Sequence, residues 1–540
     1  MRILQSSLSF LRCPRVLLRG ALLTGALVGV AGCQNFLDVN VNPNAPQEVE
    51  PNLYLPPVLS SMATSEQLDG RFVGRYTQNW TLPSGAALPS VWDRMGYDIP
   101  PSDNGGQLWR DVYFVLGQNL VDLMRKAREA QRWDMLGIGF TIKAWGWLKL
   151  TNMHGESIIQ QAFDATRFAF DYDTEQYAYQ EIFRNLDSAA VYLARTDGGV
   201  SSAYISRFDR VYSGDRVRWL RFASGLRAMA LNHFSNKATY RPQAVIDAVD
   251  NAFTGNADDA LLPYSGTSAD NLDANFWGPR RGNLNSYRQT QFILNLLNGT
   301  SLGGGVDPRL SRMLAPSPDG QFRGWDPNSG TLALPAAQLP NNFFGYVGTA
   351  GAGQPSRYLF ADRSRFPIMT YAQLQFIKAE AALRSGNRAV ALDAYSRGVA
   401  AHIDFVNARN SDDAQAVTPI TPAERSAYLA NTAAVPTDPT QLTLSMVMSQ
   451  KYIAQWAWAH VETWTDLRRY SYTGLDPATG QQVFTGFSTP AVLFADNGNK
   501  IAQRMRARFN SEYVWNRPSL DKIGGLAPDF HTKPLWITQP

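Results

Sequence analysis

FIKAEAALRSGNRAVALDAYSRGV, residues 376–399, has the clearest structural pattern in this chain. Its two halves meet at Gly386, with the small residues Ala379 and Ala382 before the glycine and the aromatic Tyr395 after it. Small side chains let two helices approach closely, and an aromatic ring behind them fills the remaining space. The stretch therefore predicts two antiparallel helices joined by a short turn.

Helical spacing of apolar residues dominates the rest of the sequence, and no segment shows strand alternation of comparable length. Paired helices recur without a strict period, so the predicted fold is mainly α. It is a degenerate, tetratricopeptide-like helical-repeat scaffold with long irregular loop insertions. The predicted helices are 109–127, 138–148, 174–193, 213–233 with Ser213 as cap, 369–385, 388–405, 422–430 and 442–469.

The N-terminus has the pattern of a lipoprotein signal. Residues 1–32 contain four arginines and no acidic residue, and an apolar run from Gly20 to Gly32 is too short to span a bilayer. Val30-Ala31-Gly32-Cys33 resembles a bacterial lipobox. We therefore expect a signal peptide over 1–32 and acyl chains such as palmitate on Cys33. The alternative is an ordinary secretory signal with a chance cysteine.

Residues 33–57 are rich in Asn and Pro and predict a lipidated tether, which leaves 58–540 as one helical domain. Within it, the stretch from about 254 to 368 is rich in Gly, Asn, Pro and Ser, yet it keeps many aromatic residues. More than a hundred residues of such composition are improbable as mere connectors. We expect a loop-rich insertion whose rings either form a recognition surface or plug the helical core.

Charge and cysteine content narrow the classes of function. Four of the 50 Lys and Arg residues lie in the predicted signal, so 46 remain against 46 Asp and Glu. A neutral body gives no support to nucleic-acid binding. Of the two cysteines, Cys13 lies in the signal and Cys33 is the lipidation site. The mature body is therefore expected to have no disulfide, thiol nucleophile or cysteine-ligated metal.

Enzymatic signatures are weak. The five histidines are scattered, with no H-E-x-x-H pair, and the sequence has no G-x-S-x-G elbow or phosphate-binding glycine loop. Residues 496–499, DNGN, have calcium-like chemistry without the full ligand spacing. We predict no catalytic residue, metal or cofactor, although a pair of glycosidase carboxylates stays open among the 46 acidic residues.

Aromatic residues in loops are the candidates for binding. Flat rings pack on the apolar faces of sugars and also accept peptide side chains. We hypothesise that several of them converge on one surface, the alternative being that they pack in the core. The candidates are Trp80, Trp92, Tyr97, Trp277, Trp325 and Tyr346.

Several blocks, in order along nearly the whole chain, resemble the SusD/RagB family of nutrient-binding outer-membrane lipoproteins. These blocks are FLDVNVNPNAP at 36–46, TNMHGESIIQQAFD at 151–164, VYSGDRVRWLRFASGLRAMALNHFS at 211–235, YAQLQFIKAEAALRSG at 371–386, QKYIAQWAWAHVETWTDLRRY at 450–470 and TKPLW at 532–536. The resemblance implies a tetratricopeptide-like fold whose loop-borne aromatics face an oligosaccharide or peptide. It also implies delivery of that nutrient to a TonB-dependent, SusC-like transporter, with the lipid anchor in the outer membrane and the body facing the exterior. The acidic cluster linked to surface export in this group is missing after Cys33.

Glu380, Arg468 and Arg469 lie in these blocks and are expected to be structural, because a carboxylate facing a packed helix pair must find a donor. The sequence thus predicts a non-catalytic nutrient-binding protein. Two alternatives stay open: a surface glycan hydrolase, and a structural adaptor that binds only protein partners.

Overall fold

The computed structural model describes residues 49–270, 273–344, 356–413 and 417–540. The predicted signal peptide, Cys33, most of the predicted tether and Tyr346 lie outside these residues. Pro51–Pro540 forms one compact unit. Its first helical turn, Pro51–Tyr54, and the start of its first α-helix at Leu55 fall inside the segment predicted as tether.

Helices are the main regular structure of the described chain, in which the strands are short, and this confirms the predicted fold class. Short strands form two antiparallel pairs, β1 (Trp80–Thr81) with β3 (Arg288–Gln289) and β2 (Ala260–Leu262) with β4 (Phe366–Met369). Two π-helices, Asp111–Gln118 and Phe509–Tyr513, occur as well. The α-helices in chain order are α1 Leu55–Tyr76, α2 Gln107–Arg110, α3 Asn119–Glu129, α4 Trp133–His154, α5 Glu175–Ala194, α6 Ser202–Ser206, α7 Arg216–Asn232, α8 Pro242–Asp250, α9 Gln291–Leu297, α10 Leu310–Met313, α11 Tyr371–Arg384, α12 Arg388–Asn410, α13 Pro422–Leu429, α14 Leu444–Gln455, α15 His460–Arg469 and α16 Arg517–Lys522.

The hairpin predicted from residues 376–399 is α11 and α12. Thr370 caps α11 and Asn387 caps α12, each accepting a hydrogen bond from a backbone N–H three residues on. Gly386 takes a φ of +80°, which the tight turn requires. A Cβ on Gly398 would lie 2.9 Å from the Phe376 ring, so the two helices touch where the sequence places a small residue. Two further pairs, α4 with α5 and α7 with α8, pack in the same way.

Several helix boundaries differ from the prediction: the helix predicted over 138–148 runs over Trp133–His154, and the one predicted over 388–405 runs to Asn410. The cap of α7 is Asp215, whose carboxylate accepts from the N–H groups of Val217 and Arg218, and Ser213 lies in the preceding turn. The single helix predicted over 442–469 is broken between α14 and α15. Asn79 causes the break, because its side chain accepts from the N–H of Ala457 at 2.7 Å and holds that residue at a φ of +74°.

The first helix, α1, has no counterpart in the predicted set. It lies inside the core and is buried on nearly every side. Two of its charged residues form buried ion pairs with other segments of the chain: Glu66 with Lys149 at 2.5 Å, and Arg75 with Asp93 at 2.9 Å. A helix of this kind carries polar groups that only the folded chain satisfies.

Candidate functional site

Four of the six candidate aromatic residues lie in the core. Trp80 and Trp277 are fully buried and meet edge to face, with ring centroids 5.0 Å apart. Trp92 packs on Phe72 at 4.8 Å, and Trp325 is 6% exposed. The structure therefore does not bring these four rings to one surface, and they match the alternative in which loop aromatics plug the core.

The other two candidates are Tyr97 and Tyr346. Tyr97 is half-buried; its hydroxyl donates to Asp496 at 2.8 Å, and its ring lies 4.4 Å under the Arg506 guanidinium. Tyr346 lies outside the described residues. The segment 496–499, considered above for calcium, is a turn in which Asn497 donates to the Met95 carbonyl at 3.1 Å. Among the described residues no group of three or more His, Cys, Asp or Glu is placed to hold a metal ion.

A different set of aromatic residues is exposed. Within the described chain these are Phe114, Phe168 and Trp515, which are 63%, 93% and 77% exposed. All three belong to segments that border one surface depression of about 430 Å³. Phe114 lines it, Phe168 comes two residues before its wall residue Phe170, and Trp515 comes three residues after its wall residue Glu512. We call this depression the aromatic groove; it is lined by Trp109, Arg110, Tyr113, Phe114, Ile158, Ala162, Phe170, Arg508, Ser511 and Glu512.

The floor of the aromatic groove is the π-helix Asp111–Gln118 with Trp109 before it. Trp109 rests against Tyr113 at 5.4 Å and against His154 at 4.9 Å. The Tyr113 hydroxyl accepts from the N–H of Ile158 at 2.9 Å, which joins the floor to the loop that carries Phe168. π-Helical turns are rare and occur often at functional sites, because the wider turn changes where side chains point.

The opposite wall is the second π-helix, Phe509–Tyr513, held from both sides. Asp103 accepts from the N–H and the side-chain amide of Asn510, at 3.1 and 2.7 Å, and pairs with Arg508 at 2.7 Å. On the other side, the Asn516 amide donates to the Phe170 carbonyl and accepts from the Phe170 N–H, each at 3.0 Å. Segments about 340 residues apart in sequence thus form one rigid depression.

Charge in the groove lies at its edge. Arg110 and Arg508 present guanidinium groups, while the carboxylate of Glu512 is nearly buried and accepts from Tyr172 and Asn516. Burial raises the pKa of Asp111, at the start of the floor, to about 6. Apolar rings flanked by a few donors provide the surface that a sugar ring needs: flat faces for its C–H groups and polar groups for its hydroxyls.

The residues that carry the family resemblance are structural, as predicted. Glu380 accepts from Arg469 at 2.7 Å, Tyr470 at 2.7 Å and Asn232 at 2.8 Å, all inside the core. Burial would raise the pKa of Glu380, but Arg469 and Lys451 beside it bring the value below the usual range. Arg468 donates to the backbone carbonyls of Asn152 and Gln503, each at 2.6 Å.

The aromatic groove was not predicted from the sequence, because its aromatic residues lie in short polar segments outside the loop-rich insertion. A usable signal exists in RFAFDY at 167–172, where three aromatic residues alternate with polar or small ones between two predicted helices. Alternation of this kind turns successive rings to different sides, and here Phe168 is exposed while Phe170 is half-buried.

Comparisons with known proteins agree with this architecture. A family model named SusD-like and described as "Starch-binding associating with outer membrane" matches residues 43–486. None of the curated proteins matches the sequence. In the described residues, no helix is both long and apolar enough to cross a membrane.

Solved structures with the same fold include three SusD-like proteins. A SusD/RagB family protein from Bacteroides thetaiotaomicron is 20% identical over 91% of this chain and 99% of its own, with a TM-score of 0.66. A SusD homologue from Bacteroides fragilis is 18% identical over 91% of this chain and all of its own, with a TM-score of 0.67. A chitin-binding SusD homologue from Flavobacterium johnsoniae is 20% identical over 90% of this chain and 97% of its own, with a TM-score of 0.61. At these identities the likeness shows the shared fold.

Proposed function

The chain belongs to the SusD-like family, and from that premise we propose that it binds an oligosaccharide at the outer membrane and passes it, uncleaved, to a TonB-dependent SusC-like transporter. We place the glycan in the aromatic groove and the membrane anchor at Cys33. The body then faces the exterior, where nutrient arrives.

The observation that carries this proposal is the exposure of Phe114, which lines the groove, and of Phe168 and Trp515, which belong to segments that border it. Exposed large apolar groups clustered on one face mark interaction sites, because burying them on a partner releases water from their surfaces. The groove volume of about 430 Å³ suits one or two sugar rings, with the rest of an oligosaccharide lying along the exposed rings.

The nature of the ligand follows from the same surface and from the family. The family description names starch, and one solved relative is named for chitin binding. Both are chains of uncharged sugar rings, which pack on aromatic faces. We therefore favour a neutral oligosaccharide over a peptide as the ligand of the aromatic groove.

Binding without cleavage is the simpler chemistry for this groove. A glycosidase needs two carboxyl groups facing the bond to be cleaved, about 5 or about 6.5–9.5 Å apart. Glu512 is the one acidic residue among the described residues that line the groove, and its Oε2 accepts from both Tyr172 and Asn516. A surface hydrolase is the alternative, and sustained release of reducing ends by pure protein would favour it.

Calorimetry with maltoheptaose and with chitohexaose tests the proposal. We expect Trp515→Ala and Phe114→Ala each to weaken binding of the preferred glycan about tenfold, the worth of one ring contact. The matched control is Leu475→Ala, which removes a side chain that is 64% exposed on a different segment. Equal affinities in all four proteins, or no affinity of the unmodified protein for either glycan, would refute the groove as the site.

The transporter partnership has its own test. Affinity capture of the tagged, lipidated chain from its own membranes is expected to bring down a β-barrel transporter, and Cys33→Ala is expected to release the chain from the membrane. Capture of the transporter by a protein that binds no glycan would instead favour the structural adaptor.

A further inference from the structure

A second cavity, of about 470 Å³, lies away from the groove-lining residues. It is bordered by the turn before α7, the segment 256–263 and the last turns of α12. Four arginines and one acidic residue line it, an imbalance that the neutral composition of the body does not predict. We call it the arginine pocket; its lining is Arg210, Val211, Ser213, Arg218, Asn256, Ala257, Asp259, Leu261, Pro263, Arg365, Phe405, Ala408 and Arg409.

Two of the arginines share a single carboxylate. Arg409 pairs with Asp412 through two hydrogen bonds, at 2.6 and 3.2 Å. Arg365 stands 3.7 Å from the same carboxylate, and its side chain is 55% exposed. One negative charge therefore serves two guanidinium groups at this end of the pocket.

The other end has a similar excess of positive charge. Asp258 pairs with Arg221 at 3.0 Å and lies 3.8 Å from Arg218. Arg218 also donates to the Ala257 carbonyl and stacks on the Tyr212 ring at 4.6 Å, which fixes its guanidinium at the pocket edge. Arg210 is held by the Pro263 carbonyl at 2.7 Å.

The one lining acid does not offset this excess near neutral pH. Asp259 is buried and accepts from the N–H of Tyr371 at 2.7 Å. Burial raises the pKa of Asp259 to about 8, so the carboxyl is mostly protonated at pH 7. The pocket therefore presents fixed guanidinium groups over apolar walls formed by Val211, Leu261 and Pro263.

We propose that the arginine pocket is a second binding site, which takes the carboxylate or sulfate group of an acidic sugar. Guanidinium groups bind planar oxyanions through paired hydrogen bonds, and the volume exceeds that of a bare anion by enough to admit the sugar ring. The apolar walls then cover the ring. This site is independent of the aromatic groove and of whether that groove binds a neutral glycan.

The test is calorimetry with three probes: trigalacturonate, its full methyl ester, and a sulfated galactose trisaccharide. We expect at least one acidic probe to bind and the ester to bind at least tenfold more weakly, because the ester keeps the rings and loses the charge. The acidic probe that binds identifies the group that the pocket accepts. Absence of binding by both acidic probes up to about 10 mM, or equal binding of acid and ester, overturns the proposal.

Variants assign the site. Arg365→Gln and Arg218→Gln are each expected to weaken the acidic probe about tenfold, since each removes a charge-assisted contact. The matched control is Arg397→Gln, which deletes one positive charge from the outer face of α12, where the side chain is 61% exposed. Retention of affinity in both pocket variants, or loss of it in Trp515→Ala, overturns the assignment. Thermal unfolding confirms that each variant is folded before it is titrated.

Discussion

The buried Arg469 guanidinium pairs with two carboxylates, Asp466 at 2.6 Å and Glu380, and replacing Glu380 with alanine would remove the second. In the native core this side chain neutralises Arg469 at 2.7 Å and also accepts from Tyr470 and Asn232. Removing one partner of a buried ion pair costs about 3–5 kcal/mol, because the remaining charge stays desolvated. Asp466 remains beside Arg469, whereas the donors of Tyr470 and Asn232 lose their acceptor, so the expected loss for Glu380→Ala is about 3–4 kcal/mol.

The assay is urea unfolding at pH 7, followed by tryptophan fluorescence. Glu380→Gln keeps the size of the side chain and one acceptor, so it is expected to lose about half as much, and Asp393→Ala is the control. Asp393 pairs with Arg397 on the surface of α12, where such a pair is worth about 0.5 kcal/mol or less. A loss below about 1 kcal/mol in Glu380→Ala would refute the reasoning that this carboxylate holds the core together.

The free energy of unfolding at acid pH gives a second test of the role of Glu380. The folded pKa of Glu380 is lowered below its usual value, so the stability it contributes is present above about pH 4.5 and is lost as the pH falls toward the folded pKa. The free energy of unfolding of the native protein should therefore fall more steeply in acid than that of Glu380→Gln. Equal slopes would mean that the carboxylate has no charge-dependent role.

Three further predictions concern packing, pH and exposure. Gly398→Val should lower the free energy of unfolding by about 2 kcal/mol, because a Cβ at this position already lies 2.9 Å from the Phe376 ring. Thermal melting followed by circular dichroism measures the loss, and an unchanged melting temperature contradicts the contact between α11 and α12. Asp259→Asn should flatten the fall in the free energy of unfolding as the pH rises toward about 8. The raised folded pKa of Asp259 gives stability that is present below the unfolded pKa and is lost as the pH rises through the folded pKa. Urea titrations across that pH range measure this fall, and parallel curves for the variant and the native protein contradict the prediction. Trp80→Ala should lower the free energy of unfolding by about 4 kcal/mol and Trp515→Ala by less than about 0.5 kcal/mol, since the Trp80 ring is fully buried and that of Trp515 is 77% exposed. Similar losses of the two variants in urea unfolding would contradict the assignment of Trp80 to the core and Trp515 to the surface.

The sequence predicted the helical fold well because its signals are local. Small residues at helix contacts, caps such as Thr370 and turn glycines such as Gly386 act within a few residues of where they stand. Helix α1 was missed for the opposite reason. Its buried polar residues are satisfied by partners far along the chain, as Glu66 is by Lys149, and no local pattern encodes such a pair.

The groove that we propose as the binding surface was missed on similar grounds. The sequence around a tryptophan in a loop does not show whether its ring faces solvent or the core. Trp277 and Trp80 are therefore predicted as binding residues from the sequence, and the structure shows both to be buried. The rings that are exposed come from three segments that meet only in the folded chain. The arginine pocket is hidden in the same way, because the overall charge of the body is balanced while the charge around this cavity is not.

The blocks that carry the family resemblance act on the aromatic groove from inside the core. Arg468 binds the carbonyls of Asn152 and Gln503, which fastens the end of α4 to the segment that leads into the second π-helix. The N–H of Met505 continues that contact by donating to the Met153 carbonyl at 2.7 Å, and the ring of His154, the next residue of α4, packs against the groove residue Trp109 at 4.9 Å. The groove wall is thus positioned by buried residues that do not line the groove. A shared scaffold can keep such positioning while the exposed rings change, so proteins about 20% identical can present different surfaces on one fold.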